Sequence, residues 1–552
     1  MRARLERHTV SLHVLGRDDM AGDNTINVAT LRSWLGDGGE TAFIDVREEG
    51  PHCDGHPLLA VNLPYSRLEL DILRLVPRKS TRVVLVDGDD GVAERAAARL
   101  AHPGYGDVHG LAGGVAGWSR AGYPLFPSNN VPSKGFAEIV EIDSHTPHVS
   151  AAELRAMQQA GRNIKILDSR TVEEFNRFHV PGAQTCPGAE LVYRFADLVP
   201  DPETLVVVSC AGRTRSIIGA QSLINAGVPN KVVSLQGGTQ GWRLAGLELE
   251  RNTSQALAPV SAVGAAASTR HVAAVAERYE VRRIDRATLA NWQREAATRT
   301  TYLLDVRTPD EFAAGHLPGS VSAQGGQLVQ AIDRWAATRG ARVVLVDDNG
   351  TRAVMTAHWL KQMGWEVCVL DRAFDGVELE QGPGAPAEPL LPAAAVVSIE
   401  AAASLMSDGA AAIVLGSSAA FRAGHPPGAV WTIRPRLDLL PAKVRDAARI
   451  VVFADDVAVA RLTLSDLAAL TSAEIAIVKG GVAAWRDAGY SVVATPDDPP
   501  DGERIDFIFW NHDRHDTSES SRRAMQNYLQ WELDLPGEIE KDGLSGFRIG
   551  AA

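Results

Sequence analysis

The residues best suited to chemistry fall in one stretch, Val206 to Ser216, which reads V-V-V-S-C-A-G-R-T-R-S. A β-branched apolar run ends at Cys210, Gly212 to Arg215 follow at once, and Ile217 to Ala226 carry a helical pattern that Gly227 stops. A cysteine between a strand and a helix faces backbone N–H groups and the positive end of the helix, and both favour thiolate over thiol. Arg213 and Arg215 add positive charge. The stretch therefore reads as a nucleophilic Cys210 acting on a small anion, with Ala211, Gly212, Arg213, Thr214, Arg215 and Ser216 as its cradle.

Composition limits the alternatives. The chain has 552 residues, and a prior of roughly 150 residues per domain suggests three or four domains. Its net charge is −13 with both signs mixed along the sequence, which argues against nucleic acid or an acidic membrane as the main partner. Four cysteines, Cys53, Cys186, Cys210 and Cys368, are too sparse for a disulfide framework and lack metal-site spacing. A reducing cytoplasm is expected, since the N-terminus lacks a signal-peptide core and no run of about 18 apolar residues occurs. Residues 1–25 read as an extension, with Met20 as an alternative start.

The elements that must position Cys210 recur four times. Strand-like segments end at F-I-D-V-R (Phe43 to Arg47), I-L-D-S-R (Ile166 to Arg170), L-L-D-V-R (Leu303 to Arg307) and I-V-L-G-S (Ile413 to Ser417). A second strand in each unit ends at Asp87, Cys210, Asp347 and Asp455. The spacing from Asp45, Asp168 and Asp305 to that residue is 42 each time, and from Gly416 it is 39. Asn27, Ser150, Asp285 and Ser398 are N-cap types opening the units, and Ser150 with Glu153 forms a capping box. Gly-Gly-x-x-x-Trp closes three units at Trp118, Trp242 and Trp485, while Asp371 to Gly376 stands there in the third. Turns of the His-x-Pro-Gly kind begin at His179, His316 and His425.

Alternating strands and helices with short Gly/Pro loops predict an α/β fold: four tandem modules, each a mainly parallel sheet covered by helices on both faces. The expected modules span 26–127, 134–252, 270–382 and 396–496, with a tail at 500–552. Phe126 to Ser133, Thr253 to Ser268 and Gly382 to Ala395 read as linkers. The longer step from Cys210 to Asp347, 137 residues against 123 from Asp87 to Cys210, suggests two tandem pairs. In the tail, Ser520 to about Leu533 forms an amphipathic helix with Met525, Tyr528, Leu529 and Leu533 on one face, expected to dock on another domain.

Together the D-x-R strand end, the H-x-P-G turn, the cysteine loop and the G-G-x-x-x-W ending resemble the rhodanese family of sulfurtransferases, specifically bacterial chains with four rhodanese modules. The likeness covers roughly residues 26 to 496. It is strongest in the second module and weakest in the fourth, where Gly416 and Ser418 replace the Asp and Arg. The resemblance carries the catalytic cysteine to Cys210 alone. It implies transfer of a sulfane sulfur from thiosulfate or a persulfide donor to a thiol or cyanide through a Cys210 persulfide, with no cofactor or metal; whether the chain forms a homo-oligomer is left open. The alternatives are a noncatalytic persulfide-binding scaffold or sensor, and a cysteine phosphatase or arsenate reductase. The latter place Arg six positions after Cys, where this chain has Ser216.

Where Cys210 stands, the other modules carry Asp87, Asp347 and Asp455, with further acids nearby. A carboxylate cannot hold a sulfane sulfur and repels an anion, so these three are expected to be inert. The supporting residues read as structural first: Asp168 and Arg170 as a strand-end tie, His179 as a turn residue, Trp242 as core. Cys186 reads as a small buried side chain, Cys53 and Cys368 as incidental, and His512, Asp513, His515 and Asp516 as a polar loop.

Overall fold

The computed structural model of the chain describes residues 24–384, 389, 391–510, 512 and 519–550. Each unit contributes five parallel strands to a sheet of one topology, in which the fourth strand lies central, between the fifth and the second, and the third pairs the second; the first unit's sheet gains a sixth, antiparallel strand from the third unit. In the second unit the order is His148–Val149, Val232–Leu235, Leu205–Ser209, Ile164–Asp168 and Ala183–Thr185. Val206, Val207 and Val208 are fully buried, as expected for a continuous β-branched run covered on both faces. The fourth unit, at Ala395–Val397, Glu474–Val478, Arg449–Ala454, Ala411–Leu415 and Val430–Trp431, keeps the order despite its weaker sequence signal.

The four N-caps form as the sequence predicts. Asn27, Ser150, Asp285 and Ser398 each accept from a backbone amide three residues on, and Ser150 with Glu153 closes a capping box. Gly113, Gly237 and Gly480 adopt left-handed φ of 70°, 72° and 78° before their short helices, a conformation glycine reaches at least cost. Two expected linkers run into helices at their C-terminal ends: Val131–Ser144 begins inside the first and Ala262–Arg278 inside the second, and both pack on the second and third units. Ala-rich and Pro-led stretches lose their linker character once an apolar face finds a partner.

The units do not associate as two tandem pairs. One core runs continuously through the second and third units, joining Leu191, Ile217 and Leu223 to Val354, Trp359 and Leu360. The first unit instead meets the third and fourth. Thr338–Arg339 adds an antiparallel edge to Thr41–Ala42, and buried Arg434 donates to Glu69 at 2.6 and 2.8 Å and to the Tyr65 carbonyl at 3.1 Å. Linker length does not decide which apolar faces match, so the 137-residue step carries no pairing information.

The tail helix is longer than its periodicity suggests, Glu519–Asp542, and continues through Pro536. It docks on the Val131–Ser144 helix, where a side chain at Gly135 would collide with Ile539.

Trp359 ties the shared core together: it is buried, meets Phe136 edge-on at 5.8 Å and donates to Ser222 Oγ at 2.9 Å. Trp359→Ala should cost about 3–5 kcal/mol. Because the core is common to both units, urea melts followed by tryptophan fluorescence and by alkylation of Cys210 should shift together; separate transitions would contradict a shared core.

Candidate active site

The Leu205–Ser209 strand delivers Cys210 to the end of the second sheet, and the Thr214–Asn225 helix starts four residues later with Arg213 as its N-cap. The helix begins three residues before the periodicity places it, because Thr214 to Ser216 form its first turn. The loop is pinned from beneath: the amides of Thr239 and Gln240 donate to the carbonyls of Cys210 and Ala211 at 2.8 and 3.1 Å. A Cβ on Gly238 would lie 2.3 Å from the Cys210 carbonyl oxygen. The Gly-Gly pair therefore acts as a platform for the loop, two residues wide and without side chains.

Cys210 is 2% exposed. Its thiol donates to Ser216 Oγ at 3.5 Å, and that hydroxyl donates in turn to the Arg213 carbonyl at 2.8 Å. Burial pushes the thiol above its ordinary range, while Arg215 and the hydroxyl and amide of Ser216 pull it down and Asp168 pushes it up again. Burial and Asp168 thus work against the thiolate, and Arg215 with the hydroxyl and amide of Ser216 works for it.

The two arginines separate. Arg213 is buried and donates to Glu138 at 2.8 and 2.7 Å and also to Glu141, so its fork is taken by carboxylates of the Val131–Ser144 helix and does not face an incoming anion. Burial pushes Glu138 up to about 7 even against Arg213, with Glu532 and Glu141 crowding the same guanidinium. Arg215 pairs with Glu174 through two bonds of 2.7 and 2.8 Å, yet remains the main charge acting to lower the Cys210 thiol. Burial would raise the Glu174 carboxyl, but Arg215 prevails and holds it at about 2.

The supporting residues adopt their structural roles. Asp168 accepts from Arg170 Nε and Nη2 at 2.9 and 2.8 Å, and Arg170 donates on to the Phe178 carbonyl at 2.6 Å. The same tie joins Asp45, Arg47 and Gly55, and Asp305, Arg307 and Gly315. His179 stacks on Phe175 at 3.8 Å with Nδ1 against the Phe175 carbonyl at 2.9 Å. His316 and His425 repeat that geometry on Phe312 and Phe421. His56 repeats the turn on His52 in the first unit; its signal, His-Pro without the glycine, escapes the motif. Trp242 is buried and donates to the Glu248 carbonyl at 2.9 Å. Burial lifts Cys53 and Cys368 to about 12 and Cys186 further still. His512 lies near Phe507, while Asp513, His515 and Asp516 fall outside the described residues.

In the first and third units the strand-end aspartate satisfies its own loop. Asp87 accepts from the amides of Asp89 and Ala93, both at 2.9 Å. Asp347 accepts from the amides of Asp348, Arg352 and Ala353 and from Arg352 Nε at 3.3 Å. Arg352 occupies the position of Arg215 and likewise pairs with a capping-box glutamate, Glu311, at 2.7 Å. Asp455 leans over Gly416, where a Cβ would lie 2.9 Å from its Oδ2. Periodicity does not reveal the Glu174–Arg215 pair, although its 41-residue spacing recurs in Glu311–Arg352.

The model of the Rhodanese-like domain matches residues 27–121, 150–245 and 286–380, and the chain belongs to the rhodanese family. The fourth sheet lies outside those matches. The crystal structure of a thiosulfate sulfurtransferase from Pseudomonas aeruginosa is similar over 95% of this chain and 99% of its own, with 43% identity and a TM-score of 0.89. Single segments resemble the HTH-type transcriptional regulator Rv0324 of Mycobacterium tuberculosis, 33% identical over 18% of this chain and 44% of that protein, and the putative sulfur carrier protein YrkF of Bacillus subtilis, 27% identical over 20% and 57%. The chain thus spans about half the length of these two relatives. Among the described residues no helix is long and apolar enough to cross a membrane.

Because burial raises the Cys210 thiol and Arg215 opposes it, alkylation by iodoacetamide should increase with pH through a midpoint above the free-thiol value of about 8.5. Arg215→Gln should move that midpoint upward again. A midpoint at or below the free-thiol value in the unmodified chain would show that burial does not dominate.

Proposed function

We propose that this protein is a sulfurtransferase that carries sulfane sulfur as a persulfide on Cys210. The observation that carries this reading is the difference among four equivalent strand ends. Three hold an aspartate, and in the first and third units it accepts loop amides; the second holds Cys210 beside Ser216 and Arg215. The 43% identity to a thiosulfate sulfurtransferase over nearly the whole chain supports the same conclusion.

In the proposed cycle the Cys210 thiolate attacks the outer sulfur of thiosulfate or a related persulfide donor. A sulfur–sulfur bond forms on Cys210 as the donor's own bond to that sulfur breaks, and the electron pair leaves on sulfite from thiosulfate or on the thiolate of a persulfide donor. Cyanide or a thiol then attacks the outer sulfur, and the Cys210 thiolate is released. Arg215, Ser216 and the first-turn amides of the helix stabilise the negative charge on the thiolate and on the persulfide. Thr214 to Ser216 hold the outer sulfur, while Asp168, Arg170, His179 and Trp242 keep the strand end and loop in place. The Asp87, Asp347 and Asp455 modules serve as inert packing units. The near-complete burial of Cys210 favours one second reading, a persulfide holder without turnover.

Replacing Cys210 with Ser should abolish thiosulfate-to-cyanide transfer while leaving the urea melt unchanged; retained transfer would remove Cys210 from the reaction. The two readings separate by mass spectrometry and turnover together. A sulfur added to Cys210 by thiosulfate and discharged by cyanide over many cycles supports the enzyme, whereas one that persists supports the holder.

A further inference from the structure

A recess lies where the first and third units meet, with Phe547 of the tail in its wall and no residue of the Cys210 loop. Its free space, counted out to solvent, is about 570 Å³, and its lining is mostly apolar, with Leu58, Met363 and the Trp365 ring. Into this setting the third unit places two opposite charges, Arg339 and Asp333. The Arg339 guanidinium lies over the Trp365 ring, 4.6 Å from its centroid, and packs on Gly364, where a Cβ would sit 3.2 Å from Nη2. No carboxylate among the described residues pairs with it: burial alone acts on it, pulling it down to about 10, so it stays charged near neutral pH. Burial pushes the Asp333 carboxyl up, opposed by the charges of His52 and Arg334 and by the amides of Asp333 and Arg334. No described cation forms an ion pair with Asp333, and Arg339 is not among the charges acting on it.

The histidines at the first unit's edge are already engaged. His52 Nδ1 meets Asp45 Oδ2 at 2.8 Å, and His56, stacked on His52 at 3.7 Å, holds the His52 carbonyl through Nδ1 at 2.9 Å. Burial and His52 pull His56 well below its ordinary range, so it is neutral near pH 7 and its Nε2 is an acceptor.

We propose that this recess binds a small α-amino acid with an apolar side chain, its carboxylate on Arg339 and its ammonium on Asp333. Buried charges are ordinarily paired, and here two of opposite sign are each without a counter-ion. A guanidinium stacked on a ring by its face still presents its edge donors, which fit a carboxylate bidentately. An ammonium supplies the charge Asp333 lacks, with His56 Nε2 as a second acceptor. The hydrocarbon part then lies against Leu58 and Met363, as in ligand pockets whose few polar groups fix orientation. A simple carboxylate would satisfy Arg339 alone and a simple amine Asp333 alone, leaving the other charge unpaired. This inference is independent of the chemistry at Cys210.

Isothermal titration of the full chain with L-leucine, L-methionine and L-phenylalanine should show binding of at least one, and that amino acid should raise the melting temperature. For the tightest of the three, the analogue without the amino group and the analogue without the carboxylate should each bind about tenfold more weakly or worse. Arg339→Gln and Asp333→Asn should each weaken the amino acid by a similar factor. If neither variant folds, the two analogues still test the inference on the unmodified chain. Failure of all three amino acids to bind at millimolar concentration would overturn it, as would an analogue, or both variants, binding within about twofold of the amino acid on the unmodified chain.

Discussion

Each sheet faces the same physical problem where its central strand ends: the amides of the following loop and first helical turn need an acceptor. In the first and third units a carboxylate on the residue directly after the strand provides one. Asp87 and Asp347 each accept two or more of those amides, so the anion these loops would otherwise cradle is already present and covalently attached. Sulfur is a far weaker acceptor than carboxylate. With Cys210 at that position the strand end supplies a thiol in place of the carboxylate, and that thiol donates to Ser216 Oγ. The change of residue type comes with a change of backbone: Gly350 before the third unit's helix is left-handed at φ 80°, whereas Arg213 in the same place has φ −118°.

Arg352 shows how completely the third unit has been closed. It keeps the place of Arg215 and the capping-glutamate partner, but it also contacts Asp347, Asp348 and, across the boundary between units, Glu190. Buried guanidinium forks are stable only when desolvation is repaid by such bonding. What is the charge closest to sulfur in the second unit is thus a structural brace between units in the third. The shared core between these two units follows the same logic, since Gly188 and Gly326 let their backbones approach closely, a contact that no side chain marks in the sequence.

Local patterns made much of this legible. The N-caps recur in all four units and the Asp-x-Arg strand end and the glycine platform in three each, and these, like the single loop cysteine, are features of local sequence. Contacts made across the chain left no such trace. The Asp87-bearing unit packs on the third and fourth because Arg434, Glu69 and Tyr65 match in space, and no linker length encodes that. The tail helix announced one apolar face, yet the residue that accepts from Thr214 at the loop is the polar, buried Glu532, which a hydrophobic pattern assigns to solvent.

The adjacent arginines show how far a motif can be read before geometry must decide. Arg213 and Arg215 are two residues apart at the start of a helix, and residues at that spacing point to nearly opposite sides. They cannot both frame one ligand. Arg215 turns toward the sheet, where Glu174 anchors it and its charge still reaches Cys210. Arg213 turns to the Val131–Ser144 helix and is consumed by Glu138 and Glu141. A cluster that appears doubly positive in sequence therefore presents one cation to the sulfur. On its other side it gathers the carboxylates of Glu138 and Glu141, so the two positive charges of the motif serve different partners.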